Sequence, residues 1–68
     1  MITQKKVAYY LNSEIRITNP KHPHFNAIGD VVRAKHTTIG FGLVVKRHDT
    51  QETFLVFNPE DIKITKRK

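Results

Sequence analysis

Residues 14–20 read Glu14-Ile15-Arg16-Ile17-Thr18-Asn19-Pro20. Ile15 and Ile17 point to one side of an extended chain, Arg16 and Thr18 to the other. That is the alternation of a strand with one buried face. Pro20 stops it, because proline cannot donate to a ladder. The stretch that follows, Asn19 to Ala27, is polar, holds Pro20 and Pro23, and reads as a long ordered loop. Phe25 is its one large apolar side chain and is expected to anchor the loop on the core.

Working outward from this strand, the same grammar repeats. Gly29-Asp30 opens a second strand, Val31 to Lys35, and His36 to Gly40 is a turn. A third strand runs from Phe41 to Arg47, with Gly42 marking a bulge or sharp bend. His48 to Glu52 is a polar hairpin loop. Thr53-Phe54-Leu55-Val56-Phe57 is the fourth and most apolar strand. In Asn58-Pro59-Glu60-Asp61, Asn58 is a helix cap and Pro59 fits the first helical position, so a single helical turn is expected. Ile62-Lys63-Ile64 is a short fifth strand. Ile15, Ile17, Val31, Val45, Phe54, Val56 and Ile62 are the expected core, although the choice of Val45 over Val44 and of Phe54 over Leu55 depends on register, which one bulge would flip. Residues 1–12 form an N-terminal extension that fits a helix (Val7, Tyr10, Leu11) and a strand (Val7, Tyr9, Leu11) equally well. Residues 13–64 form the domain, and residues 65–68 a basic tail.

Composition narrows the classes. The 68 residues leave room for one core, and a chain this short buries only about 60% of its unfolded surface. There is no cysteine, hence no disulfide and no thiolate metal site. No apolar run approaches the ~20 residues that span a bilayer, and Met1 to Glu14 lacks the apolar segment of a signal peptide. A soluble, cytoplasmic protein is the expectation. Lysine and arginine number 12 against 6 acidic residues, a net charge of +6. Such a field favours polyanions, whether nucleic acid or an acidic protein face; it also serves plain solubility.

The order strand, long loop, glycine, strand, hairpin, strand, helical turn, short strand resembles the small five-stranded SH3-like barrel group, an all-β class. The block Ile15-Arg16-Ile17-Thr18 followed by Gly29-Asp30-Val31-Val32 is similar to a KOW-type module with a lengthened loop. That resemblance implies contacts with RNA or with proteins. Ile15 to Pro20 followed by Phe25, Gly29 and Val31 also resembles the SH3-like subunit of cyanobacterial and chloroplast NADH-dehydrogenase-like complexes, which implies docking of an acidic protein.

Catalytic chemistry is absent from the sequence. Ser13 is the one serine and no nucleophile elbow surrounds it. Gly40-Phe41-Gly42 lacks the rest of a phosphate loop. The chain is not expected to be an enzyme, and no cofactor is implied. Of the four histidines, His22 and His24 flank Pro23 and could face one way, but a metal site needs further ligands, and His36 or His48 could supply one only through folding. No metal is expected. The candidate binding residues are basic: Arg16, Arg33, Lys35, Lys46 and Arg47 on or at the ends of strands, and Lys21, His22 and His24 on the long loop. Arg16 and Arg33 alternate with core residues and should project outward. Tyr9 and Tyr10 are candidates for base stacking, at least one of them being core. The expected function is a small binding module that contacts nucleic acid mainly through phosphates. The alternative is a docking or adaptor subunit, of phage or plasmid type among others, whose basic face meets an acidic partner protein.

Overall fold

The computed structural model describes residues 2–67. The elements, in chain order, are α1 (Gln4–Tyr10), β1 (Glu14–Ile17), β2 (Ile28–Thr37), β3 (Gly40–Arg47), β4 (Thr53–Val56), a 3-10 turn (Pro59–Asp61) and β5 (Ile62–Lys66). The fold is all-β, as expected, with five antiparallel strands and one short helical turn before the last. The strands make one sheet in the order β4-β3-β2-β1-β5. It rolls around a single interior: Val56 from one edge strand and Ile62 from the other belong to the same core cluster as Ile15, Ile17, Val31 and Val45. Six of the seven expected core residues are buried; Phe54 is half-buried, because it lies at one end of the roll beneath the long loop.

The N-terminal ambiguity resolves to a helix. Thr3 caps it, its hydroxyl accepting from the Lys6 backbone N–H. Ile2 bridges to Phe41 of β3, and Ile2 and Tyr10 are both buried, so the helix covers one end of the roll. Burial is also the main cause that raises the pKa of the Tyr10 phenol. The last strand runs to Lys66 and takes in residues expected in the tail; Lys68 lies outside the described residues. No helix among the described residues is long and apolar enough to cross a membrane.

Register is marked by a bulge in β2 and by a close approach at Gly29. A bulge between Val31 and Arg33 inserts one residue into β2, so that Val31 opposes Val45 while Arg33 opposes Val44. Both valines of β3 are buried, Val45 in the core cluster and Val44, on the opposite face of the strand, to 5% exposure. At Gly29, β2 pairs with Ile15 of β1 on one side and Arg47 of β3 on the other. A Cβ there would lie 2.4 Å from the Lys46 carbonyl oxygen and 2.8 Å from a Val45 methyl. The first neighbour is backbone and cannot rotate away. Gly29→Ala is therefore expected to cost on the order of 2–3 kcal/mol, read as a lower denaturation midpoint. Gly42→Ala, which meets only the movable side chains of Phe57 and Leu55, should cost less. Equal midpoints for the two variants would mean that the sheet is not tight at Gly29.

Candidate functional site

The long loop closes the end of the roll opposite α1. It is a run of tight turns: the N–H groups of His22, Phe25 and Ala27 donate to the carbonyls of Asn19, His22 and His24. Asn19 ties the loop to the 3-10 turn, its amide donating to the Asp61 carboxylate at 2.7 Å. The His22 imidazole Nδ1 accepts from the His24 N–H at 3.0 Å. His24 then lies flat on Phe54, the rings 4.1 Å apart and 11° from parallel. Arg47 Nη1 is 3.1 Å from His24 Nδ1. A guanidinium only donates, so in this contact the ring nitrogen is the acceptor. Arg47 also makes a two-pronged bond to Asp49, at 2.9 and 2.7 Å. That bond holds the Asp49 carboxyl below the ordinary aspartate range and raises the Arg47 guanidinium.

The anchor of the loop is thus His24, and the expectation for Phe25 is corrected. Phe25 is 45% exposed. Stacking of His24 inward turns its neighbour outward, and Asn26, in a left-handed conformation at φ 69°, returns the chain to the sheet. Phe25 stands as a ridge between two hollows. Arg16, Asn26 and Lys63 line one; Ile28, His48 and Asp49 line the other.

Arg16 and Lys63 share a face because they are register partners across β1 and β5, and Ile28 of β2 is Arg16's partner on the other side. All three are exposed. The Asn26 side chain aims the Arg16 guanidinium, accepting from Nη2 at 2.8 Å. Lys63 joins the basic candidates only in the folded chain. Its alternation with Ile62 and Ile64 marks it as outward, but it takes the β1–β5 pairing to bring it to Arg16.

The remaining basic candidates lie elsewhere. Arg33, Lys35 and Lys46 occupy the outer face of β2 and β3, opposite Val44, Gly42 and Asp30 respectively. Lys46 belongs to a cross-strand row that reads Lys66, Glu14, Asp30, Lys46, Thr53 and lies between Arg16 and the Arg33–Lys35 pair. Its two carboxylates, Glu14 and Asp30, sit side by side and are flanked by Lys66 and Lys46. Lys21 is exposed on the loop. His22, His24 and Arg47 are committed to the closed end. Of the tyrosines, Tyr10 is core, while Tyr9 is 51% exposed and carries the Arg67 guanidinium 4.1 Å from its ring centre.

Comparison with family models, with curated proteins and with solved structures finds no match to this chain. The geometry of the closed end separates two neighbours by stability. Phe25→Ala should shift stability by less than about 1 kcal/mol. His24→Ala, which removes a stacked ring and a bond to a charged group, should cost on the order of 2 kcal/mol. Thermal melts of the two variants decide it, and a larger loss at Phe25 would restore that ring as the anchor. The Asp49 carboxyl should titrate below the ordinary aspartate range in a carbon-detected NMR titration. Because its pKa is depressed on folding, its contribution to stability is present above the unfolded value and disappears as pH falls through the folded one. A midpoint at or above the ordinary value would mean that the Arg47 bond does not form in solution.

Proposed function

We propose that this protein is an SH3-like binding module for single-stranded nucleic acid. Phe25 is its stacking platform, and Arg16 and Lys63 are its phosphate-binding cations. The observation that carries the reading is the exposure of Phe25 beside two cations on a rigid sheet face. A half-exposed aromatic ring in a small domain with no other use for it loses apolar burial. A nucleobase would restore that burial, since every base has a face to stack. Arg16 is pre-aimed by Asn26, and Lys63 stands across the strand pair from it. Backbone phosphates need no sequence-specific geometry, so binding of this kind tolerates most sequences.

The second reading, docking of an acidic protein, draws on a different face. Outside β2, β3 and β4, Arg33 and Lys35 border a shallow depression with Val44 and Leu55 in its wall. A partially apolar surface edged by cations suits a protein partner with an acidic rim.

One series of measurements distinguishes the two. Labelled single- and double-stranded oligonucleotides are titrated across a range of salt. On the first reading, single strands bind, and affinity falls steeply with salt. Phe25→Ala then weakens binding by about 1–3 kcal/mol. The double variant Arg16→Gln, Lys63→Gln weakens it for all sequences and flattens the salt dependence by roughly 0.7 of a slope unit for each phosphate no longer neutralised. Arg33→Gln with Lys35→Gln has the smaller effect. No binding of any oligonucleotide at low salt would end the nucleic-acid reading. Binding that depends on Arg33 and Lys35 but not on Phe25 would move the site to the other face.

A further inference from the structure

Glu14 and Asp30 stand directly opposite one another in the β1–β2 ladder. Like charges in that position repel, and the chain has only 6 acidic residues to place. His48, the first residue after β3, closes over them. Its Nε2 is 3.2 Å from Asp30 Oδ2 and its Nδ1 is 3.8 Å from Glu14 Oε1. One donor atom from each of the three side chains lies within 4.8 Å of the other two. We propose that Glu14, Asp30 and His48 form a binding site for a divalent first-row transition metal, with Zn2+ as the ion that fits best.

The donor set selects the metal class. An imidazole with two carboxylates suits zinc and its neighbours, whereas calcium and magnesium take oxygen ligands and, at minimum, six of them. Three protein ligands leave a fourth tetrahedral position for water. Zinc bonds of about 2.0–2.2 Å place donors roughly 3.4 Å apart; His48 and Asp30 already meet this at 3.2 Å, and a pair at the 4.8 Å limit would close by about 1.4 Å. The side chains are 29% to 45% exposed and free to rotate that far.

Their backbones, by contrast, are fixed. Glu14 and Asp30 lie in ladders, and the His48 N–H donates to the Ile28 carbonyl at 3.0 Å. An outer hydrogen bond is present as well. Between Glu14 and Ile15 the β1–β5 register shifts, and the Thr65 hydroxyl donates to Glu14 Oε2 at 2.8 Å. That bond engages one carboxylate oxygen and leaves Oε1 toward His48, the arrangement by which outer hydrogen bonds orient metal ligands. Lys66 borders the same hollow. Among the described residues its ammonium is in no ion pair, so its flexible stem can carry it away from an incoming cation. The site involves neither Phe25 nor Lys63 and stands whether or not nucleic acid binds.

The test uses the whole chain. Zn2+ is titrated by calorimetry, and Co2+ by amide NMR, where the paramagnetic ion marks its own position. One equivalent should bind, with the strongest Co2+ effects at the amides of Glu14, Asp30 and His48. Glu14→Gln, Asp30→Asn and His48→Gln should each weaken Zn2+ binding by about tenfold or more, and Thr65→Ala should weaken it by a smaller factor. His22→Gln and His36→Gln should bind as the unmodified chain does. The proposal is overturned if millimolar Co2+ leaves the spectrum unchanged. It is also overturned if the paramagnetic effects centre on His22, His24 or His36, or if affinity survives loss of His48 or of either carboxylate.

Discussion

The close approach of three backbones at Gly29 is the constraint on which the rest depends. β2 is the one strand that must bear β1 and β3 at the same level, and at Gly29 it does so with Ile15 on one side and Arg47 on the other. The missing side chain admits the β3 backbone. From that point the register runs in both directions. One step along, Glu14, Asp30 and Lys46 fall in a row; one step back, Arg16 and Ile28 do. A shift of a single residue would exchange the inner and outer faces. It would bury Arg16 and expose Ile15 and Ile17. The candidate surfaces therefore inherit their arrangement from a packing requirement in the sheet.

The strands were legible in the sequence because half-buried strands advertise themselves by alternation. Ile15 and Ile17, Val31, Val45, Val56 and Ile62 are all buried where alternation places them. The 3-10 turn was legible through Pro59, which begins it, whereas Asn58 holds the cap position without a side-chain cap hydrogen bond. The loop was not, since its conformation depends on packing between residues distant in sequence. Size alone favours Phe25 as the buried ring. His24 takes that place because it offers a flat face to Phe54 and an acceptor nitrogen to Arg47, and a phenyl ring can satisfy only the first. The basic surface was hidden in a related way. Each outward residue could be recognised singly, but the strand order decides neighbours. It set Lys63 beside Arg16 and put Glu14 and Asp30 between Arg16 and Arg33. His48 likewise meets the two carboxylates only once β1, β2 and β3 are side by side.

The core itself is aliphatic. Its fully buried side chains are Ile2, Ile15, Ile17, Leu43, Val31, Val45 and Val56, with no phenylalanine among them. β-branched residues are stiff and pack well on a pleated surface, so a narrow interior fills at small entropic cost. The aromatic rings go instead to the ends and the outside. Phe41 lies by the N-terminal helix, Phe54 under His24, and Phe25 in solvent. A chain of this length has a thin margin of stability, and closing both ends of the roll adds buried area that the sheet alone does not supply. At one end this is done by Ile2 and Tyr10, at the other by the His24–Phe54 stack and the Arg47–Asp49 bond.

Charge follows the same economy. Asp49 is bonded to Arg47, Asp61 to Asn19, and Glu14 and Asp30 flank His48. Most of the few acidic groups are thus engaged at fixed points, whereas among the described residues no lysine is in an ion pair, and Arg47 alone of the arginines is. The positive field reaches solvent with little internal compensation. It is not uniform, however. Glu14 and Asp30 lie between Arg16 and Arg33, and Lys66 and Lys46 flank them in their row. The placement of those two carboxylates, and not the net +6 alone, therefore shapes the electrostatic surface between Arg16 and Arg33.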